Sequence, residues 1–469
     1  MKYSNYLITF LMSCLCLVSC EKNLELVPIT DKVAGTFFSS EAEIESGVYG
    51  VYAQLQSGGL YGLDLIGVGE ISGEDSFEEI AANDDGRFGQ LDDFSTIPAN
   101  DLVGDIWQQS YIGIQRANTI LGRINDIPYE NPTVKTNRIG EMQFIRALLY
   151  FNLVRLYGDV PLVVVETENS ADFFGQGRTA SSEVYEQIEA DLLEAIKNLP
   201  LIKTSGRPAK GAAQTLLGDV YLTKRNFTAA LSQLEAVVNS EKYTLMPSTS
   251  QIFGEANEGN SEILFEVQFA SGLNGNSEGS SAGSQFRPSG TTANAKGHNL
   301  PSTAFVSSYE ANDTRSFDYV GKAEGNDFYF SLKYEVSPTG ANDGGSDHMV
   351  IRYADVVLKY AEALNENDQT DNAIVQLNRI RTRAGLLGTT AISKEDVRTA
   401  IQQERRFEFI GEGHRWFDLK RYGTAVTIMN AFFANTGKNI VINENNLILP
   451  IPQSQLDTDP DYIKQNLGY

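Results

Sequence analysis

Cysteine is nearly absent from this chain, and all three copies, Cys14, Cys16 and Cys20, fall within the first twenty residues. Beyond that point neither a disulfide framework nor a cysteine-ligated metal site can form. Histidine is almost as scarce, with only His298, His348 and His414; none sits in a His-Glu-x-x-His zinc motif, and no Gly-x-x-x-x-Gly-Lys phosphate loop exists. Positive charge is in deficit, 37 basic residues against 61 acidic ones for a net charge of −24 and a pI near 4.6. That balance argues against nucleic acid and anionic lipid as partners and suits a neutral or cationic ligand. No EF-hand spacing is present, so neither a metal nor another cofactor is expected.

What the first residues do contain is Lys2 followed by an apolar run over 7–19, too short to span a bilayer but of signal-peptide dimensions. Leu17-Val18-Ser19-Cys20 looks like a bacterial lipobox, in which the cysteine is acylated and becomes the new N-terminus. Acyl chains bury about 0.8 kcal/mol per methylene, enough in combination to hold a soluble domain at a membrane. The expectation is a leader over 1–19, lipidation at Cys20 and one mature unit over 20–469 with two subregions.

Helical periodicity dominates that unit. Over 141–157, Phe144, Leu148, Phe151 and Val154 fall at i, i+4, i+7 and i+10, and Gly158 with Pro161 ends the pattern. A second helix is expected from Ser182, as N-cap, to about Leu199. The spacing from Gly218 to Ala230 equals that from Ala361 to Ala373, so small residues that let two helices approach recur at one interval. That is a tetratricopeptide-like pattern of helix-turn-helix repeats, each stacked on its neighbour to bury its apolar face. The fold class is therefore all-α, with about four helix pairs mainly over 40–56, 104–240 and 350–425.

Two stretches break the rhythm, 58–102 and 244–347, where turn formers alternate with aromatics and a strand is expected over 263–269. Long irregular segments of this kind within a compact domain usually carry function. Gly279-Ser280-Ser281-Ala282-Gly283 has the letters of a nucleophile elbow without the strand and helix that motif requires. The pairs Glu74-Asp75 and Asp92-Asp93 could serve a glycosidase or hold calcium, but adjacent acids arise by chance at this acidity.

Arg146 through Leu162, with the sequence RALLYFNLVRLYGDVPL, resembles the most recognisable segment of the SusD/RagB family. Asp105-Ile106-Trp107, Arg352 through Leu358, Gln403 through Phe409, Gly413 through Arg421 and the chain end from Leu449 to Tyr469 fit the same pattern in the same order. The resemblance implies a lipid-anchored, surface-exposed protein of the outer membrane that captures oligosaccharide, or peptide in some members, for a SusC-like TonB-dependent transporter. It implies no catalytic residues. A surface-anchored glycoside hydrolase and a structural transporter lid without soluble ligand are the alternatives.

The resemblance also places part of the sugar site in the loop before the Trp107 helix, which here offers Asn83, Asp84, Arg87 and Phe88. That loop has no tryptophan, unlike starch-binding members. From the second loop, Phe286, Asn294 and His298 are candidates, since sugar rings stack on aromatic faces while amides, carboxylates and guanidinium groups bond their hydroxyls. Arg405, Arg406, Glu408, His414, Arg415, Trp416 and Asp418 are expected to be buried ion pairs and packing, and Trp107 to be core.

Overall fold

The computed structural model describes residues 38–272, 278–336 and 340–469; the leader and Cys20 lie outside the described residues. The longer helices begin with α1 (Glu41–Leu55), α2 (Asp64–Ile71), α3 (Asp101–Arg123) and α4 (Pro132–Tyr157), followed by α5 (Ser181–Asn198), α6 (Lys210–Thr223) and α7 (Phe227–Asn239). A loop-rich segment intervenes before α8 (Tyr353–Glu366), α9 (Thr370–Arg383), α10 (Lys394–Glu408), α11 (Arg415–Tyr422) and α12 (Ala425–Thr436). Apart from α2, each helix up to α10 packs on the next, so α1 with α3, α4 with α5, α6 with α7 and α8 with α9 form four stacked pairs. The stack passes from α7 to α8 as though the loop-rich segment were not there.

The repeated small residues are where helices meet. A Cβ on Gly218 would stand 2.9 Å from the Leu234 side chain, and Ala230, Ala361 and Ala373 are fully buried. Helix α4 carries the recognisable segment but is not amphipathic, because neighbours enclose it and all residues but one from Phe144 to Tyr157 are buried. It starts at Pro132 rather than near residue 141: Asn131 caps it through Thr133 N, and proline is preorganised for the first turn. Arg146 ties three helices together, donating to Asp191 of α5 at 2.8 Å and to Asn118 of α3 at 2.7 Å. Ser182 is not the cap of α5; the helix begins at Ser181, whose N–H donates to the Asp159 carboxylate at 2.7 Å, so a preceding loop satisfies that end.

Strands are few and short: β1 (Ser76–Phe77), β2 (Ile263–Val267), β3 (Leu300–Pro301), β4 (Val320–Lys322), β5 (Tyr329–Ser331) and β6 (His348–Arg352). They pair antiparallel as β1 with β3, β2 with β6 and β4 with β5. The expected strand over 263–269 is β2, two residues shorter. The stretch 58–102 is less irregular than its turn formers suggest, because it holds α2, all eight residues of which are buried. With every face covered there is no 3.6-residue periodicity to detect, and Gly67 and Gly69 hide the helix further. Those glycines are needed: a Cβ on Gly67 would lie 2.2 Å from the Phe88 ring, and one on Gly69 2.1 Å from the carbonyl oxygen of Gly413.

Charge inside the molecule is extensive. Glu408, fully buried, accepts from Arg352 at 2.7 Å, Arg315 at 3.1 Å, the Tyr319 hydroxyl at 3.2 Å and also Arg383. Beside it Glu412 accepts from Arg352 at 2.7 Å and Lys333 at 2.5 Å; burial alone would raise its carboxyl pKa, but the two cations outweigh burial and hold it at about 2. Arg405 bridges Asp355 at 2.7 Å and Asp418 at 2.9 Å. Arg406 and Arg415 reach out to Asp75 and Glu74, clamping α10 and α11 to the loop after α2. Trp416 and Trp107 are both core. The C-terminal cluster is thus the structural lock its sequence suggested.

One buried carboxylate behaves oppositely. Glu70 accepts from Gly413 N at 2.9 Å and His414 N at 3.1 Å, while its other oxygen has no partner among the described residues, and burial pushes its pKa up to about 8. A raised folded-state pKa means a proton is taken up on folding, so the favourable contribution is complete below the unfolded value and is lost as pH rises through about 8. Glu70→Gln is therefore expected to be more stable than the parent at about pH 9 and indistinguishable from it at about pH 4, where both residues are neutral. Denaturant unfolding at the two pH values checks this; a gap that does not change with pH refutes it.

Candidate functional site

The β1–β3 ladder, which pairs Phe77 with Leu300, draws the two loop-rich stretches together. Just beyond it Glu79 N donates to Gly297 O at 3.0 Å and Ser289 N to the Glu79 carboxylate at 2.7 Å, so residues 78–90 and 284–299 run side by side. The sequence candidates of both stretches meet here. Asn83 donates to Lys296 O at 2.9 Å, Lys296 donates to Asp84 at 2.8 Å, and His298 bridges Asp84 at 3.0 Å and Glu78 at 2.9 Å. Burial raises the Asp84 carboxyl, but the hydrogen bonds from Lys296 and His298 prevail and hold it below its usual value. A third loop closes the group, where Asn294 donates to Asn342 at 2.7 Å.

The backbone at this junction is unusual. Asp84, Asp85, Asn294 and Asn342 all lie in the left-handed region, at φ of 48°, 56°, 58° and 59°. Asn and Asp enter that region more readily than other non-glycine residues because their short polar side chains bond locally, and left-handed non-glycine positions cluster at ligand-binding sites. Gly297, at φ 73°, is required twice over, since a Cβ there would stand 2.3 Å from the Glu79 carboxylate.

Burial divides the candidates. Phe88 and His298 are fully buried with ring centroids 4.6 Å apart, and Phe286 is buried against Tyr334. These three therefore present no ring face to a ligand, which corrects their expected direct contact; they support the loops from beneath. Arg87 is engaged by Asp64 and Asp105, the latter at 2.7 Å, and so braces the first loop against α2 and α3. Asp84 is exposed, while Asn83 and Asn294 are half-buried at the surface.

Other residues, not singled out in the sequence, lie around the same β1–β3 ladder. Phe77 and Phe328 are half-buried, their rings 6.0 Å apart, and Phe328 ends the turn between β4 and β5. Arg287 stacks over the Phe330 ring at 4.1 Å and makes no ion pair among the described residues; its Nε lacks a hydrogen-bond partner, and burial lowers its pKa. No motif marks these positions. Their meeting depends on the long-range β1–β3 pairing, and two-residue strands leave no period in a sequence.

The acids that could have served hydrolysis are otherwise occupied. Arg406 donates to both Asp75 oxygens at 2.8 Å, and Arg415 pairs with Glu74. Asp92 lies 3.6 Å from Lys438, and Asp93 accepts from Ser95 N at 3.0 Å. Ser281 of the elbow-like motif precedes a four-residue helix and hydrogen-bonds no histidine among the described residues. No group of three or more metal-ligating side chains forms among the described residues.

A stack of helix pairs carrying a loop-built surface of amides, charged groups and aromatic faces defines a class of helical-repeat binding proteins. The chain belongs to the SusD/RagB family: residues 326–469 match the model described as the SusD family, and residues 24–222 match the one described as starch-binding associating with outer membrane. Among curated relatives, SusD-like protein P2 of Formosa agariphila is 27% identical over 99% of each chain, and SusD-like protein P25 of the same organism is 25% identical over all of both. A solved laminarin-binding SusD-like protein is 28% identical, with a TM-score of 0.79 over 92% of this chain and 100% of the other. Surface glycan-binding protein A of Bacteroides thetaiotaomicron, solved with laminarihexaose, shares the fold at 21% identity, with a TM-score of 0.77 over 91% of this chain and 100% of the other.

Proposed function

We propose that this protein captures an oligosaccharide on the loop surface formed by residues 77–90, 284–298, 326–336 and 340–342, without cutting it, and delivers it to a SusC-like TonB-dependent transporter of the outer membrane. The observation that carries the reading is the junction itself: Asp84, Asn294 and Asn342, from three separate loops, are held in left-handed backbone, Phe77 of the adjoining β1–β3 ladder pairs with Phe328, and Arg287, without an ion pair among the described residues, accepts from Gly297 N through its backbone. Rings stack on aromatic faces and hydroxyls bond amides, carboxylates and guanidinium groups, so this composition suits a neutral sugar chain. Laminarin binding by a relative 28% identical supports the same reading. Acylation at Cys20 would hold the protein at the outer membrane, and fatty-acid labelling lost in Cys20→Ala is the expected result.

The test is binding of the protein to a panel of polysaccharides and oligosaccharides that includes β-glucans, followed by assay of the recovered glycan for new reducing ends. The expected outcome is a bound glycan returned intact. Phe328→Ala and Asn294→Ala are each expected to weaken that binding about tenfold, equal to about 1.4 kcal/mol. Titration calorimetry that finds both variants at parental affinity would remove the loop surface as the site, and new reducing ends would replace capture with hydrolysis.

A further inference from the structure

A cleft of about 330 Å³ opens between the C-terminal end of α4, the start of α5, the end of α6 and helix α11, and its volume is at the lower end of the range for ligand pockets, about 300–1,000 Å³. In a chain of net charge −24, its walls carry six lysine and arginine side chains and only two carboxylates. Lys359, Arg405 and Arg421 are paired, with Asp219 at 2.8 Å, Asp418 at 2.9 Å and Asp418 at 2.8 Å. The other three, Arg155, Arg225 and Lys420, have no carboxylate within ion-pair distance among the described residues.

Each of the three is held in place. Arg155 lies between the Phe151 and Phe417 rings, at 3.9 and 4.0 Å from their centroids, and donates to Phe151 O at 3.2 Å and the Asn152 side chain at 2.7 Å, which leaves Nη1 without a hydrogen bond. Lys420 donates to the backbone oxygen of Arg155, and the Arg155 charge acts on it. Arg225 donates to Tyr422 O at 3.1 Å from a left-handed backbone position, φ 59°, at the α6–α7 turn. Tyr185 lines the same cleft, and its hydroxyl makes no hydrogen bond among the described residues. Asp219 and Asp418 act on Arg155 only from beyond ion-pair distance, so an anion in the cleft would add a direct partner, and burial together with the charge of Arg155 lowers Lys420 to about 7.

We infer that this cleft is a binding site for a small oxyanion, a carboxylate, sulfate or phosphate group, held by Arg155, Lys420 and Arg225 with the Tyr185 hydroxyl as a further donor. The guanidinium of Arg155, fixed between two rings, keeps Nη1 open to an anion oxygen, and the ammonium of Lys420 adds a compact charge near it. The site is separate from the loop surface and does not depend on glycan capture there.

The test is calorimetric titration of the full chain in mild detergent with sulfate, phosphate and glucuronate, each at constant ionic strength, with glucose as the uncharged control. Binding of at least one anion and none of glucose is expected. Sulfate or phosphate alone would identify a free inorganic ion, and glucuronate alone a sugar acid; either supports an oxyanion site. Lys420→Gln and the surface variant Arg225→Ala, which leaves the interior intact, are each expected to weaken binding about tenfold, and Arg155→Lys, which keeps the charge but not the fork, by a similar factor. Silence with all three anions, or unchanged binding in Lys420→Gln and Arg225→Ala, overturns the assignment.

Discussion

Glu408→Ala is expected to lower the stability of the protein by about 3–5 kcal/mol, because removing one partner from a buried charge cluster leaves the others desolvated and uncompensated. Arg352, Arg315 and Arg383 all converge on that carboxylate, with Arg352 and Arg315 at 2.7 and 3.1 Å. Arg352 retains Glu412 and Arg383 retains Glu262, so the loss falls short of wholly unpaired arginines. Denaturant unfolding monitored by circular dichroism gives the difference; a loss below about 1 kcal/mol, the range of a surface ion pair, would mean the cluster is solvated. Acid acts on the same groups. Cations hold Glu408 and Glu412 below the usual carboxylate range, Glu412 at about 2, so their contribution is present above the unfolded value and is lost as pH falls through the folded one. Stability is expected to decline from about pH 4.5 downward, less steeply in Glu408→Ala than in the parent.

Gly69→Ala is the second large effect. Added carbon in a tight interior typically costs about 1–3 kcal/mol, and here the obstacle is backbone rather than a side chain that can rotate: a Cβ on residue 69 would stand 2.1 Å from Gly413 O and 2.7 Å from its Cα. Helix α2 would have to withdraw from the segment leading into α11, lengthening the bonds from Gly413 N and His414 N to Glu70. A cost at the top of that range, about 3 kcal/mol, is expected, with faster amide exchange at Gly413 and His414 as the local sign. Unchanged exchange at both would show that the contact is not as close as the structure has it. Gly104, by contrast, has nothing within 4 Å of its would-be Cβ, and Gly104→Ala is the matched control.

These two sites show what the sequence could reveal and what it could not. The helix pairs were legible because their apolar residues and small residues recur at fixed intervals, as Gly218, Ala230, Ala361 and Ala373 do. The role of Arg405, Glu408 and Asp418 was legible from their crowding with aromatics near the chain end. Helix α2 was not, because complete burial erases periodicity and two glycines resemble turn formers. The proposed ligand surface was legible in outline only: the two expected loops meet, but Phe88, Phe286 and His298 are buried, while Phe77, Arg287 and Phe328 are half-buried and Asn342 is exposed. Residue type alone cannot tell the supporting side of a loop from its outer side when no regular strand or helix sets the alternation.

The β1–β3 ladder and the His298 bridge join positions 214 to 225 residues apart in sequence, and almost all of the repeat helices of the first half lie between them. Local helix pairs can form while the chain is still incomplete, whereas contacts between such distant positions form only after the intervening chain has been ordered. The junction proposed to hold the ligand is therefore a late product of folding. A chain interrupted before Leu300 could assemble helix pairs of respectable content and still have no place for a sugar, so ligand retention would report completed folding in a way that helical content does not.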